Sequence, residues 1–503
     1  MAGQRVLIFL LSCVVKGAVG YAFFGSVDLV TSVNISASIL AGDGRMMDQL
    51  PYFPTIPAFI WFGGILNAMT PLPLAFCYKV FPILFDSLLA VLIVDFAAAR
   101  GAPRPWALGL LYALCPVAIV VNGLHGQWDS IFLYFLVLAI FARDCMADSP
   151  AKCVLFGLFF CASLLIKPVA AIFLPFLVIP MAGDGGISFA KGNALSLSVM
   201  AGILAGALAV FHLSGFVVES LFATIASYAK SGTTILGLPH AFPFSRFEAL
   251  MGRQWIIVLS AVVAFAYYAG RIDFAEAALF VFMMVMAAAA VAPQYLLWPL
   301  PLLLATGRPG PAAVYGLAAS VFLAVYYMQP EASFLAWENM ATFAALKPLA
   351  WAMPPAWLTE ARMLPLARFL GNYAIPLISL ATAVVLARAY QRPERRRADP
   401  RNISPVTHIA ASAAIAVGLA GTFLATRLGG LDVVMDAIVP AKIAAYAMVE
   451  RPLPDYPFGG GTCCYLGTYG TPSPVNAFTA GIALAAGWSL AAAFLARRKE
   501  TNP

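Results

Sequence analysis

Apolar residues run in long blocks along almost the whole chain, separated by short turns rich in proline, glycine or charge. Many blocks approach the ~20 residues an α-helix needs to cross a ~30 Å hydrocarbon core. The pattern predicts an all-α, polytopic integral membrane protein. Spans are expected near 6–24, 74–99, 106–121, 129–143, 153–167, 168–183, 193–213, 255–269, 274–291, 295–306, 311–327, 371–390, 406–424 and 476–495. That makes about fourteen, with both termini on the inner side. The modest apolar stretch from Ile56 to Met69 reads as interfacial or re-entrant, because a full span there would put Arg100 and Arg104 outside.

Composition agrees with that pattern. Of 503 residues, 62% are hydrophobic and 11% charged, against about 25% charged in soluble domains. The formal charge of +7 does not make a nucleic-acid stripe. Its arginines cluster at Arg392, Arg395, Arg396, Arg397 and Arg401, and Arg497, Arg498 and Lys499 lie together near the end of the sequence, where they read as topology charges. Arg143, Lys152, Lys191, Arg271 and Arg308 fall in the remaining inner turns. The first block is longer than a secretory h-region and lacks a clear small-x-small site, so it reads as a retained anchor. The segments 328–370 and 425–475 mix aromatic residues and proline with few charges, which suits segments lying on the bilayer surface. We divide the chain into a transmembrane module at 1–390, a basic linker at 391–404 and a terminal pair of spans with an outer loop at 405–503.

Candidate chemistry gathers at the expected outer mouths. Asp28 follows the first span at headgroup depth, where partial desolvation suits a carboxylate to accept a proton; a solvated loop carboxylate is the plain alternative. Tyr52 lies in Pro51-Tyr52-Phe53-Pro54. His125-Gly126-Gln127-Trp128-Asp129 joins two spans by a very short turn. His125 and Gln127 suit binding, because burying such groups unpaired costs several kcal/mol each. Asp129 suits either binding or an N-cap of the following span, and Trp128 an interface anchor. Lys167, before Pro168, suits a lipid phosphate or a lysine snorkelling to the surface. Gln294 and Tyr295 open another span and suit sugar contact, while Tyr295 and Trp298 equally suit an aromatic belt. Deeper in, Lys16 and Asp86 sit at matching depths and read as a pair tying two spans together.

The four histidines lack metal-ligand spacing, and no Gly-rich phosphate loop or nucleophile elbow is present. No cofactor is indicated, and a divalent metal is not required by these residues. Six cysteines lie in or beside spans as small apolar residues, whereas Cys463 and Cys464 are adjacent in a Gly-rich segment.

The ordered motifs resemble those of the GT-C superfamily of polytopic glycosyltransferases, and within it bacterial relatives of the GPI-anchor mannosyltransferases. The likeness rests on Asp28, Pro51-Tyr52-Phe53-Pro54, Gly126-Gln127-Trp128-Asp129, Leu164-Leu165-Ile166-Lys167-Pro168 and Pro293-Gln294-Tyr295-Leu296-Leu297-Trp298. It covers roughly residues 5–310. Many members carry a paired acidic motif in the first loop, whereas Asp28 is flanked by Val27 and Leu29. The resemblance implies a multi-pass protein of the bacterial inner membrane with a periplasmic site. It implies transfer of one hexose, mannose favoured, from a polyprenyl-phosphate sugar to a lipid- or glycan-linked acceptor. Asp28 is expected as base and Lys167 as the cation for the departing phosphate, with His125, Gln127, Asp129, Tyr52, Gln294 and Tyr295 around the substrates. The alternatives are a lipid or solute transporter using Lys16, Asp86 and Asp95, and a lipid-linked glycan polymerase or ligase.

Overall fold

The helix Ala2–Ala22 (α1) carries two bases, Arg5 and Lys16, and the helix Leu74–Ala99 (α2) carries two acids, Asp86 and Asp95. Laid antiparallel, the helices bring Lys16 to Asp86 and Arg5 to Asp95, two ion pairs along one seam. Both inner partners are fully buried. An unpaired charge in such surroundings is costly, so the seam fixes which faces meet and in which register. Around Lys16–Asp86 the polar groups are shared out. Lys16 donates to Ser12 Oγ at 2.7 Å, Tyr112 donates to Asp86 at 2.7 Å, and Ser87 donates to the Ile83 carbonyl at 2.7 Å. The tie expected from sequence depth is therefore present.

The computed structural model describes residues 2–22, 70, 72–146, 149–178, 186–213, 254–288, 293–326, 369–390, 406–427 and 485–492, with isolated positions 63, 66 and 366. These residues are all-α, without strands among them. Asp28, Tyr52, nearly all of the stretch from Ile56 to Met69, and Cys463 and Cys464 lie outside the described residues.

After α2 come Pro105–Ala113 (α3) and Pro116–His125 (α4), bent by 43° where Pro116 interrupts the ladder. The second part of α4, Ile119–His125, winds as a π-helix. Asp129–Cys145 (α5) and Pro150–Ile166 (α6) form the best-packed hairpin, with α5 also against α2. A short 3₁₀ turn, Pro168–Phe173, leads into Leu174–Val178 (α7). Gly186–Leu213 (α8) lies on α6, and Gln254–Tyr268 (α9) pairs with Phe274–Ala288 (α10). The 3₁₀ turn Pro293–Leu297 precedes Pro299–Ala305 (α11), then Pro309–Tyr326 (α12). A π-turn, Leu370–Ala374, opens Ile375–Tyr390 (α13), and Val406–Arg427 (α14) and a final helix at 485–492 (α15) complete the described set.

Among the described residues five helices are long and apolar enough to cross a membrane, six if α3 and α4 count as one bent span. Two expected spans differ from the sequence reading. The described part of the block 168–183, residues 168–178, is a 3₁₀ turn and a five-residue helix, and 295–306 is a 3₁₀ turn followed by a seven-residue helix. Proline is the reason in both. Pro168 and Pro175 in one, and Pro293, Pro299 and Pro301 in the other, each remove a backbone donor and crowd the turn before them.

Charges collect at the Arg100 end of the bundle. Arg100 pairs with Asp273, and Asp273 and Glu276 exchange backbone bonds of 2.8 and 3.0 Å as a capping box at the start of α10. Arg143 donates to the Tyr267 hydroxyl at 2.5 Å and packs 5.1 Å from the Phe274 ring centroid. The helix α14 enters there too. Its buried His408 lies 3.1 Å from Asp95 and 3.3 Å from the Tyr134 hydroxyl. Helix α15 is keyed into the body elsewhere. Trp488 rests against Gly316, where an added Cβ would lie 2.2 Å from the indole, and donates its Nε1–H to the Leu111 carbonyl at 2.5 Å.

Candidate functional site

The site lies at the end of α5 opposite the Arg100 cluster. Sixteen steps at 1.5 Å separate Asp129 from Cys145, so the two ends stand roughly 24 Å apart, close to the thickness of a hydrocarbon core. Three loops that are distant in sequence meet there.

The first is the turn between α4 and α5. Tight reversal requires Gly126, whose φ of 76° lies in the left-handed region and whose N–H bonds the Val121 carbonyl. The Gln127 N–H reaches the same carbonyl at 3.1 Å. The turn folds the side chains of His125 and Gln127 together, Nε2 to Nε2 at 2.8 Å, and both are buried. The start of α5 is fastened to α2 by Ser130, which donates to the Pro82 carbonyl at 2.9 Å.

The second is the exit of α6. Lys167 takes an extended conformation (φ −145°, ψ 117°), as a residue before proline must, and so ends the helix. Its ammonium leaves the helix axis and donates to both carboxylate oxygens of Asp129, at 2.6 and 2.7 Å. The Asp129 side chain is wholly buried, whereas that of Lys167 is 24% exposed. The pair thus shows its cation and hides its acid.

The third is the turn 293–297 with Trp298. Trp298 is buried and donates Nε1–H to Asp129 Oδ1 at 2.6 Å. Phe132 and Phe282 hold the indole, with ring centroids 5.7 and 5.4 Å away. Tyr295 lies 4.2 Å from the indole, and the Lys167 ammonium stands 4.9 Å from the Tyr295 centroid. Gln294 is half-buried on the same turn.

Asp129 is where structure and sequence part. Trp128 occupies the cap position with no side-chain cap bond, and Asp129 is already inside the first helical turn. Two neighbouring donors, one of them charged, hold its carboxylate, and charge-assisted bonds of this kind outweigh a neutral cap. The Asp129 side chain has no exposed surface. Trp298 is no belt residue.

Two residues at this end escaped the sequence reading. Lys79, fully buried one turn before Pro82, donates to the Gly20 carbonyl at 3.2 Å, and nothing in its apolar run marked it. Asn122, also fully buried, donates to the Ala118 carbonyl at 3.1 Å, while its Oδ1 has no partner among the described residues. It sits in the π-helical part of α4, a distortion that recurs at functional sites.

What the arrangement offers is a held cation beside an aromatic face and an amide–imidazole pair. It suits an anion with hydroxyls or an apolar tail close by. Among the described residues no group of His, Cys, Asp and Glu could hold a metal ion. Fold and site together define an all-α membrane-embedded protein with a partly exposed lysine ammonium held at one end of its bundle. No protein-family model matches this chain, and no curated protein matches it.

Proposed function

We propose that the protein is a GT-C-type glycosyltransferase of the bacterial inner membrane, built on about fourteen spans with its site on the periplasmic face. It transfers one hexose, mannose favoured, from a polyprenyl-phosphate sugar to a hydroxyl of a lipid- or glycan-linked acceptor. One observation carries the reading. Residues from three of the motifs behind the resemblance, Asp129, Lys167 and Trp298, form a single bonded cluster although they come from separate helices. The chemistry follows from charge. Asp28 accepts the proton of the acceptor hydroxyl as its oxygen attacks the anomeric carbon from the side opposite the phosphate. The bond between the anomeric carbon and the phosphate oxygen breaks with inversion at that carbon, and polyprenyl phosphate leaves as an anion without needing a proton. Lys167 offsets that developing charge from a fixed position, which is where electrostatic catalysis is strongest. His125 and Gln127 orient hydroxyls, and Tyr295 offers a face to the sugar.

Purified protein, labelled polyprenyl-phosphate sugars and a native membrane extract test the reading. Label should move with wild type, be lost with Asp28→Asn and fall at least a hundredfold, by about the value of one oxyanion-stabilising donor, with Lys167→Ala. Wild-type turnover in both variants would sink the assignment.

A further inference from the structure

The ion pair at the site is arranged asymmetrically, and the asymmetry has a use. Both oxygens of Asp129 grip the Lys167 ammonium from the buried side, and the Trp298 N–H fixes one of those oxygens. Asp129 has no exposed surface, while the lysine is partly open. A lysine on a four-carbon stem otherwise wanders among rotamers. Here its remaining freedom is removed before any ligand arrives. The carboxylate also subtracts a full charge a few ångströms behind the ammonium, so a ligand on the open side meets a weakened cation. The repulsion from that carboxylate grows with the charge the ligand carries.

We infer that Asp129, locked by Trp298, is a positioning residue that holds the Lys167 ammonium and, through its own charge, discriminates against the more highly charged diphosphate-linked isoprenoids. The inference rests on the proposed function for the ligand class, and on the observed bonds for the role. It assigns Trp298 a part in binding that an interface anchor lacks.

Binding rather than turnover tests it, using the full chain in lipid nanodiscs with farnesyl phosphate, farnesyl diphosphate and inorganic phosphate as probes. Wild type should bind both farnesyl lipids, and inorganic phosphate far more weakly than either. Lys167→Met should weaken both lipids about tenfold or more, as loss of a charge-assisted contact does. Asp129→Asn keeps the shape but removes the countercharge. It should shift the ratio of the two lipid affinities toward the diphosphate by at least about fivefold, since a carboxylate at this range repels the more highly charged diphosphate more strongly than the monophosphate. Trp298→Phe keeps the ring and loses the N–H, and should weaken both lipids severalfold with the ratio unchanged. An unchanged ratio in folded Asp129→Asn overturns the charge-setting role, and wild-type affinities in Trp298→Phe overturn the lock. Should Asp129→Asn not fold, Trp298→Phe alone decides. Failure of wild type to bind either lipid overturns the proposed function itself. Equal affinity for inorganic phosphate overturns the isoprenoid preference.

Discussion

Lys16 and Asp86 meet in the middle of the α1–α2 seam with no accessible surface on either side chain. Arg5 and Asp95 repeat the contact nearer the Arg100 end, and in both pairs the base is on α1 and the acid on α2. Two like-ordered pairs leave a single antiparallel register in which neither acid faces apolar neighbours alone.

That arrangement predicts a double-mutant cycle. Lys16→Met should destabilise the protein by about 3–5 kcal/mol, because it strands Asp86 in the interior. Lys16→Met with Asp86→Leu should recover most of the loss. Denaturant or thermal unfolding in detergent reads both, and an uncorrected double variant would show that the pair does not set the register.

Gly126 gives a second. Its φ of 76° disfavours any side chain, so Gly126→Ala should cost about 1–2 kcal/mol. The larger effect falls on the ligand, since His125 and Gln127 flank the strained residue and swing with it. Affinity for the proposed polyprenyl-phosphate sugar should fall about tenfold or more, read by direct binding to the folded variant.

Asn122 separates stability from use. Its Oδ1 is buried without a partner among the described residues, a cost of about 1–3 kcal/mol. Asn122→Leu should therefore unfold later in a thermal scan. If that oxygen serves a substrate hydroxyl or an ordered water, the same variant turns over more slowly; unaltered kinetics would make it a packing residue only.

Gly316 and Trp488 form a notch and key. Gly316→Ala drives a methyl group to 2.2 Å from the indole and should destabilise by about 1–3 kcal/mol. Adding Trp488→Leu should restore much of that, at the expense of the bond to Leu111.

Much of this was legible from residue order because membranes restrict the choices. Apolar block length gave α1 and α2, and equal depth gave Lys16–Asp86. The turn at 125–129, Lys167-Pro168 and the 293–298 run were all visible as polar mouths. What sequence did not show is who holds whom. Asp129 has the preferences of a helix cap, and only the approach of Lys167 and Trp298 from other helices turns it inward. Trp298 has the profile of an interface residue until Phe132 and Phe282 enclose it. Lys79 and His408 sit in apolar runs with no local pattern, their roles set by helices far away in sequence. The π-turn at 119–125 has no compositional mark at all.

The Leu111 carbonyl adds a matter of timing. It lies in the last turn of α3, where Cys115 bonds Tyr112 instead and Pro116 has no N–H to offer. Its donor, the Trp488 indole, is 377 residues further along, which at about 5–20 residues per second arrives roughly 20–75 s later in synthesis. For that interval a bare carbonyl waits inside a growing bundle, at a cost of several kcal/mol in lipid unless something else occupies it. The end of α3 is therefore completed only once α15 reaches its place against Gly316.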